Sequence, residues 1–250
     1  MSHDFPSTQF ERTTDRTIDS ATLIEGLPGL GMVASIAVDR ITTQLGLERY
    51  GTIASDDVPP VASFDGGRVR SPVRVYGGTN PAVLTLQSDV PIPPNAFRSL
   101  SRCVVTELAD VFDRAVFLAG APAESESQLG EVVGVATTDA LEAELTDSGV
   151  TLAEGPGVIG GVTGALLKAC YDADVPAMIL VVRSNPYIPD PGAAEAVIET
   201  ALEPLVEFDI DTTELRERAE EIQRQMQQVA EQLQQYQQES QQQPATPMFQ

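Results

Sequence analysis

The sequence predicts an α/β protein with a mixed β-sheet layered with helices, followed by a long C-terminal helix of the coiled-coil type. Short apolar runs alternate with segments of helical periodicity, which is the pattern of a layered α/β domain. A hairpin sequence near residue 66 makes the sheet mixed, and a heptad pattern begins at Thr213. Trp is absent and aromatic residues are 5% of the chain, so Val, Leu, Ile and Ala must form the core.

The first predicted unit is a strand over 17–24, a turn over 26–31 and a helix over 32–45. The turn has the sequence Gly-Leu-Pro-Gly-Leu-Gly, in which glycine and proline interrupt regular structure. Apolar residues recur at helical spacing in the segment that follows, which predicts a helix with one buried face. This face consists of Val33, Ile36, Ala37, Ile41 and Leu45.

The remaining elements of the domain follow from apolar runs and from their flanking turn residues. Further strands are predicted over 50–55, 61–64, 68–76, 82–87, 115–118, 132–136 and 177–182. Helices are predicted over 96–112, 139–147, 162–171 and 189–202. The Asp65-Gly66-Gly67 sequence predicts the hairpin, Asn95 is expected to cap the second helix, and Pro191 lies in a first helical turn.

From Thr213 the apolar residues are spaced alternately four and three apart, as at the a and d positions of a heptad. We define the predicted oligomerisation stalk as Leu215, Ile222, Met226, Val229, Leu233 and Tyr236, with Ala219 in the same register. Such a helix is marginal in water alone, so its apolar seam needs a partner. That partner is either the same helix of another subunit or the helix's own domain.

These patterns divide the chain into four segments. Residues 1–16 are expected to form a polar tail, 17–211 the α/β domain, 212–237 the heptad helix and 238–250 a flexible Gln- and Pro-rich tail. The tail ends in Met248-Phe249-Gln250, which places an apolar residue, an aromatic ring and a carboxylate at one tip. A tip of this kind suits insertion into a pocket of another protein.

Charge and residue types exclude several classes of function. The net charge is −22, which argues against nucleic acid and against an anionic membrane as partners. Lys168 is the only lysine, and a lysine-poor acidic surface indicates a high-salt cytoplasm, where salt screens self-repulsion. No run approaches the roughly 18 apolar residues of a membrane span, and the N-terminus has no signal-peptide core, so we expect a cytoplasmic protein.

His3 is the only histidine, and it lies in the polar N-terminal tail. A Ser-His-Asp triad, a Cys-His pair and a His-based zinc site in the core are therefore excluded. Cys103 and Cys170 lie in apolar helical segments and are interpreted as small buried residues in a reducing compartment, although a disulfide between them is possible. No catalytic residue, metal or cofactor is predicted.

Two glycine-rich segments match the glycine spacing of the dinucleotide-binding fingerprint. Residues 29–34 fit G-x-G-x-x-A, and residues 155–160 fit G-x-G-x-x-G. Pro28 and Pro156 each remove a backbone donor, and neither loop contains a lysine. The segments 26–34 and 155–164 therefore favour close packing or a tight interface. A nucleotide-binding protein or an ATP-dependent ligase is kept as the alternative function.

The same loops carry a family resemblance, which covers about residues 15–220. The matching stretches are Ile24–Val33, Tyr50–Ile53, Gly155–Gly164 and Pro189–Ala194. Their motif residues are Gly26, Pro28, Gly29, Gly31, Gly155, Pro156, Gly160, Gly161, Gly164, Pro189, Asp190 and Pro191. In these stretches the chain resembles the proteasome assembly chaperone 2 family, in its archaeal branch, and the acidic composition suggests a haloarchaeal member.

The resemblance implies a three-layer α/β/α sandwich of the phosphorylase-like kind, homo-oligomerisation, and no catalytic activity or cofactor. It also implies binding to proteasome α-subunits, in some members through a C-terminal hydrophobic-Tyr-any motif. In this chain Met248 fills the hydrophobic position, Phe249 replaces the tyrosine and Gln250 is last. The first functional hypothesis is therefore a non-enzymatic proteasome assembly chaperone or adaptor. A scaffold whose stalk serves only oligomerisation stays open beside it.

Overall fold

The computed structural model describes residues 8–242, and its elements alternate as the sequence predicts. The strands are β1 (Thr8–Arg12), β2 (Ala21–Gly26), β3 (Glu48–Ser55), β4 (Ser63–Asp65), β5 (Arg68–Arg70), β6 (Val73–Thr79), β7 (Ala82–Ser88), β8 (Phe112–Pro122), β9 (Val132–Ala136), β10 (Thr151–Leu152) and β11 (Ala177–Ser184). The helices are α1 (Val33–Gln44), α2 (Phe97–Glu107), α3 (Asp139–Asp147), α4 (Gly161–Asp172), α5 (Pro191–Val197), α6 (Glu203–Val206) and α7 (Thr213–Gln242). A π-helical segment, Ile198–Leu202, joins α5 to α6.

Within these residues the main sheet has nine strands in the order β1-β3-β6-β7-β2-β8-β11-β9-β10. Strand β2 runs parallel to β7 and to β8, and β8 runs parallel to β11. The pairs β1–β3, β3–β6, β6–β7 and β11–β9 are antiparallel. The predicted mixed sheet is thus confirmed, but the hairpin near residue 66 is not its cause, because β4 and β5 pair in a separate two-stranded sheet. The carboxyl ends of β2, β7, β8 and β11 lie at one edge of the main sheet.

Helices cover both faces of the sheet, which makes three layers. Alternate residues of a strand point to opposite faces, and β8 shows this clearly. Val116 and Leu118 belong to the core cluster with α1, α3 and α5, whereas Ala115 and Phe117 belong to the cluster with α2 and α4. The predicted α/β/α sandwich is confirmed.

Strand β1 corrects the expectation that residues 1–16 are only a polar tail. Residues 8–12 form an edge strand that pairs with β3. The Phe10 ring stacks on Tyr50 with a centroid distance of 5.9 Å, and Gly51 leaves the space that this ring occupies. One aromatic residue between polar neighbours is too weak a pattern to predict a strand, because its partners lie about 40 residues away in the chain.

The predicted helix over 96–112 is corrected at its C-terminal end, and its predicted cap is also wrong. Helix α2 ends at Glu107, and Phe112 is the buried first residue of β8. A turn closed by the Val111 backbone N–H donating to the Leu108 carbonyl reverses the chain between them. Asn95 does not cap the helix, since its side-chain amide donates to the Asp57 carbonyl. Periodicity alone does not separate these elements, because apolar residues fit both the end of the helix and the start of the strand.

Candidate functional site

The glycine-rich loop after β2 lies at the carboxyl edge of the central strands, around the buried side chain of Glu25. Glu25 is 0% exposed, in a strand whose residues are all buried. Its carboxyl group accepts hydrogen bonds from the Leu27 backbone N–H at 2.9 Å and from the Thr163 hydroxyl at 3.3 Å. Glu25 therefore links the end of β2 to the first turn of α4, within one of the matching stretches.

Burial raises the pKa of Glu25 from 4.5 to about 8, although the Leu27 and Leu118 backbone N–H groups and the Thr163 hydroxyl each favour the ionised form. Desolvation dominates because the carboxyl group is wholly removed from water. At pH 7 the neutral acid is the main form, so Glu25 contributes no negative charge at this edge of the sheet. A neutral buried carboxyl group that is hydrogen-bonded to two elements fits a structural link as well as it fits acid–base chemistry.

The loop after β2 is pressed against the ends of β8 and β11. A side chain at Gly120 would place its Cβ 2.3 Å from the Leu30 carbonyl oxygen, and one at Gly31 would lie 2.8 Å from the Ser184 hydroxyl. Gly31 also has a φ of +63°, in the left-handed region that favours glycine. Met32 follows with a φ of +51°, and α1 begins directly after it. These glycines serve close packing of backbone on strands.

Asp190 fastens the segment after β11 to the same loop. Its carboxylate accepts from the Asn185 N–H at 2.8 Å and from the Ala193 N–H at 3.0 Å, where it caps α5. The Asp190 N–H donates to the Gly31 carbonyl at 2.8 Å. Pro191 is at the start of α5, as the sequence predicts. The Pro189-Asp190-Pro191 stretch is thus joined to the first glycine-rich loop by hydrogen bonds that need no ligand.

The second glycine-rich segment, residues 155–164, is packed less tightly than the first. A side chain at Gly155, Gly157 or Gly160 would meet no atom within 4 Å, whereas one at Gly164 would strike the Ile159 carbonyl. Val158 is almost fully exposed at the tip of this segment. Of these glycines only Gly164, in the first turn of α4, is tightly packed, so the Gly155–Gly164 stretch combines an exposed loop with one close backbone contact.

A pocket of about 540 Å³ adjoins the first loop, between α1 and the start of α7. Its charged lining residues are Asp39, Arg40, Asp89, Glu214 and Arg218. The carboxylates outnumber the guanidinium groups, and Arg40 is itself paired with Glu214 at 2.7 Å. A phosphate site needs unpaired donors and a positive field, so this lining does not favour the nucleotide alternative.

Helix α7 divides into an anchored start and an exposed remainder. Leu215 is buried in the core, and Arg216 pairs with Glu195 of α5 at 2.5 Å. Ala219 lies against Gly192, and Ile222 is half-buried. The first turns of the predicted stalk therefore pack on their own domain, which is one of the two partners that the sequence left open.

The rest of the seam is open to solvent in the monomer. Met226, Val229 and Leu233 are 50%, 56% and 57% exposed. Tyr236 lies in the helix, and its side chain is outside the described part of the structure. The helix extends to Gln242, past the predicted end at 237. The predicted docking tip, Met248, Phe249 and Gln250, also lies outside the described residues.

Both cysteines agree with their sequence interpretation. Cys103 of α2 and Cys170 of α4 are free and buried, and burial raises the pKa of each thiol to about 12. They are not reactive thiolates at neutral pH. Lys168 is on the exposed side of α4, where it pairs with Asp172. Among residues 8–242, no helix combines the length and the apolar character that a membrane crossing requires.

Sequence reasoning missed the roles of Glu25 and Gly120. A lone carboxyl residue inside an apolar strand is a usable sign of a buried link for Glu25. Gly120 follows a predicted strand and looks like an ordinary turn residue, and only the approach of Leu30 explains it. The structure brings together Gly31, Asp190 and Glu25 at one edge. It leaves the exposed part of α7 away from them, beyond α5.

Comparisons with known proteins agree with this geometry. A sequence profile of the PAC2 family matches residues 23–230. An uncharacterized protein of Methanocaldococcus jannaschii is 27% identical over 217 residues, which cover 87% of this chain and 88% of that protein.

Two solved structures from Pyrococcus furiosus are similar over nearly the whole chain. PbaA, described as an archaeal homolog of proteasome-assembly chaperone, is 25% identical with a TM-score of 0.79, covering 93% of this chain and 96% of PbaA. PbaB, described as an archaeal proteasome activator, is 20% identical with a TM-score of 0.80, covering 90% of this chain and all of PbaB. The likeness to PbaB shows the fold alone.

Proposed function

The chain belongs to the PAC2 family, and we propose that it is a non-enzymatic proteasome assembly chaperone or adaptor. In this proposal it forms oligomers and binds proteasome α-subunits, partly through Met248, Phe249 and Gln250. The observation that carries the proposal is the match to PbaA, which extends over nearly the whole length of both chains. This match supports a proteasome partner, and we propose that the contact is made with the α-subunits.

The architecture of α7 supports this role. Its first turns are fixed to α5 through Leu215 and through the Arg216–Glu195 pair. The stretch from residue 223 to residue 242 has 20 residues, which is about 30 Å of helix at 1.5 Å per residue. An anchored base followed by an exposed helix gives the proposed docking tip a spacer from the domain. That separation is what a docking tip requires.

The residue types of the tip determine how tightly it is expected to bind. An apolar residue, an aromatic ring and a terminal carboxylate can fill a pocket and pair with a basic residue there. Phe249 keeps the aromatic packing of the resembled tyrosine but lacks its hydroxyl group. One lost hydrogen bond costs about 0.5–1.5 kcal/mol. Several tips on one oligomer would offset this loss through avidity, provided that their spacing matches the target.

Capture of proteasome α-rings tests the proposal directly. The full chain is expected to retain α-rings, and a chain without Met248–Gln250 to retain far less at the same salt concentration. Phe249→Tyr is expected to bind more tightly by about 0.5–1.5 kcal/mol, or about 2- to 10-fold in Kd. Binding is measured by surface-immobilised titration of the α-rings.

Thr246→Ala is the matched control, since it alters the same tail without altering the tip. Equal capture by the full and shortened chains would remove the role of the tip. If neither chain binds α-rings, the proposed function itself is wrong. The alternative function is tested separately by thermal unfolding with millimolar ATP or NAD, where we expect no stabilisation.

A further inference from the structure

The groove between α2 and α4 has the shape and charge of a docking site for a helix. Its volume is about 720 Å³, and Phe97, Val105, Ala165 and Ala169 give it an apolar lining. Arg98, Arg102 and Lys168 also line it, against Asp172 as the acidic residue. Three of the chain's 15 basic residues thus gather in one groove of a protein with a net charge of −22.

The rim charges of this groove are open to a partner. Arg98 and Arg102 are exposed, and within residues 8–242 neither forms a salt bridge. Lys168 is paired with Asp172 on the same face of α4. The two free guanidinium groups leave the groove basic, so it favours an occupant that is acidic and has an apolar stripe.

The exposed stretch of α7 has the apolar stripe, and an excess of acidic residues precedes it on the same helix. Met226, Val229 and Leu233 form its apolar stripe. Beside the stripe, from 223 to 233, the helix carries only Arg224 and Glu231, and the exposed Glu217, Glu220 and Glu221 lie with Arg218 in the anchored turns just before it. The stripe is about 10 Å long, and the groove, measured from residue 97 to 105 of α2, is about 12 Å long. The stripe and the groove therefore match in length and polarity, and the acidic excess lies at the N-terminal end of the stripe.

The occupant must come from a second copy of the chain. Helix α7 is anchored on α5, in the layer of the sandwich that also contains α1 and α3. The groove is formed by α2 and α4, which cover the opposite face of the sheet. The sheet separates the two surfaces within one molecule, so α7 does not fold back into its own groove.

Pairing of α7 with α7 is the less favourable arrangement. The exposed seam from Met226 to Leu233 spans one heptad, whereas sustained coiled coils have about three or more. The flanking e and g positions carry Gln223, Gln225 and Gln232, which offer no charged pair to fix a partner helix. The anchored part of the heptad pattern, at Leu215 and Ala219, is already used by the helix's own domain.

We propose that the exposed seam of α7, at Met226, Val229 and Leu233, docks into the α2–α4 groove of a second copy of this chain. The contact is heterologous, since each copy offers one helix and one groove. Successive copies then join head to tail, and the assembly closes into a ring or continues as a filament. The inference rests on the oligomerisation within the proposed function, and it does not depend on the tip.

Cysteine cross-linking between two variants tests the contact. Val229→Cys places a thiol on the seam, and Ala169→Cys places one in the groove. A mixture of the two full-length variants, treated with a short bismaleimide, is expected to give the 229–169 product, identified by mass spectrometry of its peptides. The native thiols are buried, so the parent chain gives the background. Gln227→Cys, on the other side of α7, is the matched control and is expected to lose the product.

The outcomes separate the possible arrangements. A 229–229 product without the 229–169 product would mean that α7 pairs with itself, and the proposal would be overturned. The absence of any product above background would overturn it as well. No proteasome is present in this experiment, so its failure is distinct from a failure of α-ring capture.

Charge reversal of the rim is the second measurement. Arg98→Glu with Arg102→Glu is expected to weaken association about 10-fold at the lowest salt concentration at which the chain stays folded. Arg49→Glu with Arg68→Glu makes the same change in net charge at exposed positions outside the groove and is expected to have little effect. Equal effects of the two pairs in sedimentation equilibrium would contradict the role of the rim.

Discussion

The carboxyl edge of the central strands and the exposed stretch of α7 make opposite use of their side chains. At the edge, Glu25 and Asp190 are bonded within the domain, and glycine allows Leu30 to rest on β8. On α7, Met226 and Val229 are 50% and 56% exposed in the monomer. Both regions attract notice in the sequence, one through glycine motifs and the other through heptads.

This difference shows where stability and interaction reside. The glycine motifs look like a ligand site, yet the hydrogen bonds at this edge are made between residues of the domain itself. The heptads look like a uniform stalk, yet Leu215 is buried in the domain whereas Met226, Val229 and Leu233 are exposed in the monomer. Substitutions at the edge are therefore expected to change folding stability, and substitutions in the exposed seam to change association.

Replacement of Glu25 is expected to have the largest effect, through pH. The folded-state pKa of about 8 is above the ordinary value of 4.5, so between these values the folded state holds a proton that the unfolded state releases. This contribution to stability is full below pH 4.5 and is lost as pH rises to about 8. Glu25→Gln cannot titrate, so its stability relative to the parent chain should rise by up to about 1.4 kcal/mol per pH unit in this window.

The measurement is denaturant unfolding of both chains at constant salt, at several pH values from about 5 to 8. Other carboxyl groups titrate in both proteins, and the difference between the two curves isolates Glu25. If the curves run parallel across this range, then Glu25 is ionised in the folded state and does not form the neutral link that we describe.

Gly120→Ala is expected to have the next largest effect. The new Cβ would lie 2.3 Å from the Leu30 carbonyl oxygen, which is backbone and cannot rotate away. Overpacking of this kind costs about 1–3 kcal/mol in the free energy of unfolding. Gly157→Ala is the control, because its Cβ would meet no atom within 4 Å. Equal stability of the two variants in denaturant unfolding would show that the loop does not rest tightly on β8.

Replacement of Met226, Val229 and Leu233 together by glutamine is expected to have the smallest effect on folding. These side chains are exposed, and glutamine is a good helix former, so the monomer's free energy of unfolding should change by about 0.5 kcal/mol or less. The oligomer should dissociate, as read by sedimentation equilibrium. Leu215→Gln is the contrasting control, since it loses core packing. A large loss of monomer stability in the triple variant would mean that the whole stalk packs on its own domain.

The order of the main elements was predictable, because each element follows from a local pattern. Apolar runs such as 177–182 identify buried strands, and the periodicity over 32–45 identifies α1. Strand β1 was not predictable, since Phe10 is held by Tyr50 across the sheet. The boundary between α2 and β8 was also missed, because Phe112 fits the helical pattern as well as the strand.

The candidate site shows the same limit. The motif glycines and Pro189-Asp190-Pro191 could be selected from the sequence, but their partners could not. Asp190 bonds to Gly31, which is 159 residues earlier in the chain, and such pairs depend on how the strands are ordered. The stalk residues were selected as one seam, and their division at Ile222 follows from the position of α5.

The sequence by itself determined the fold class, the mixed sheet, the acidic surface and the heptad register, since these follow from composition and local periodicity. The tertiary structure alone decided that Glu25 is buried and neutral, that Gly120 supports the first loop, and that α7 is anchored only at its start. It also placed the seam of α7 and the α2–α4 groove on opposite layers. These features depend on which distant segments meet, and local patterns carry no information about such meetings.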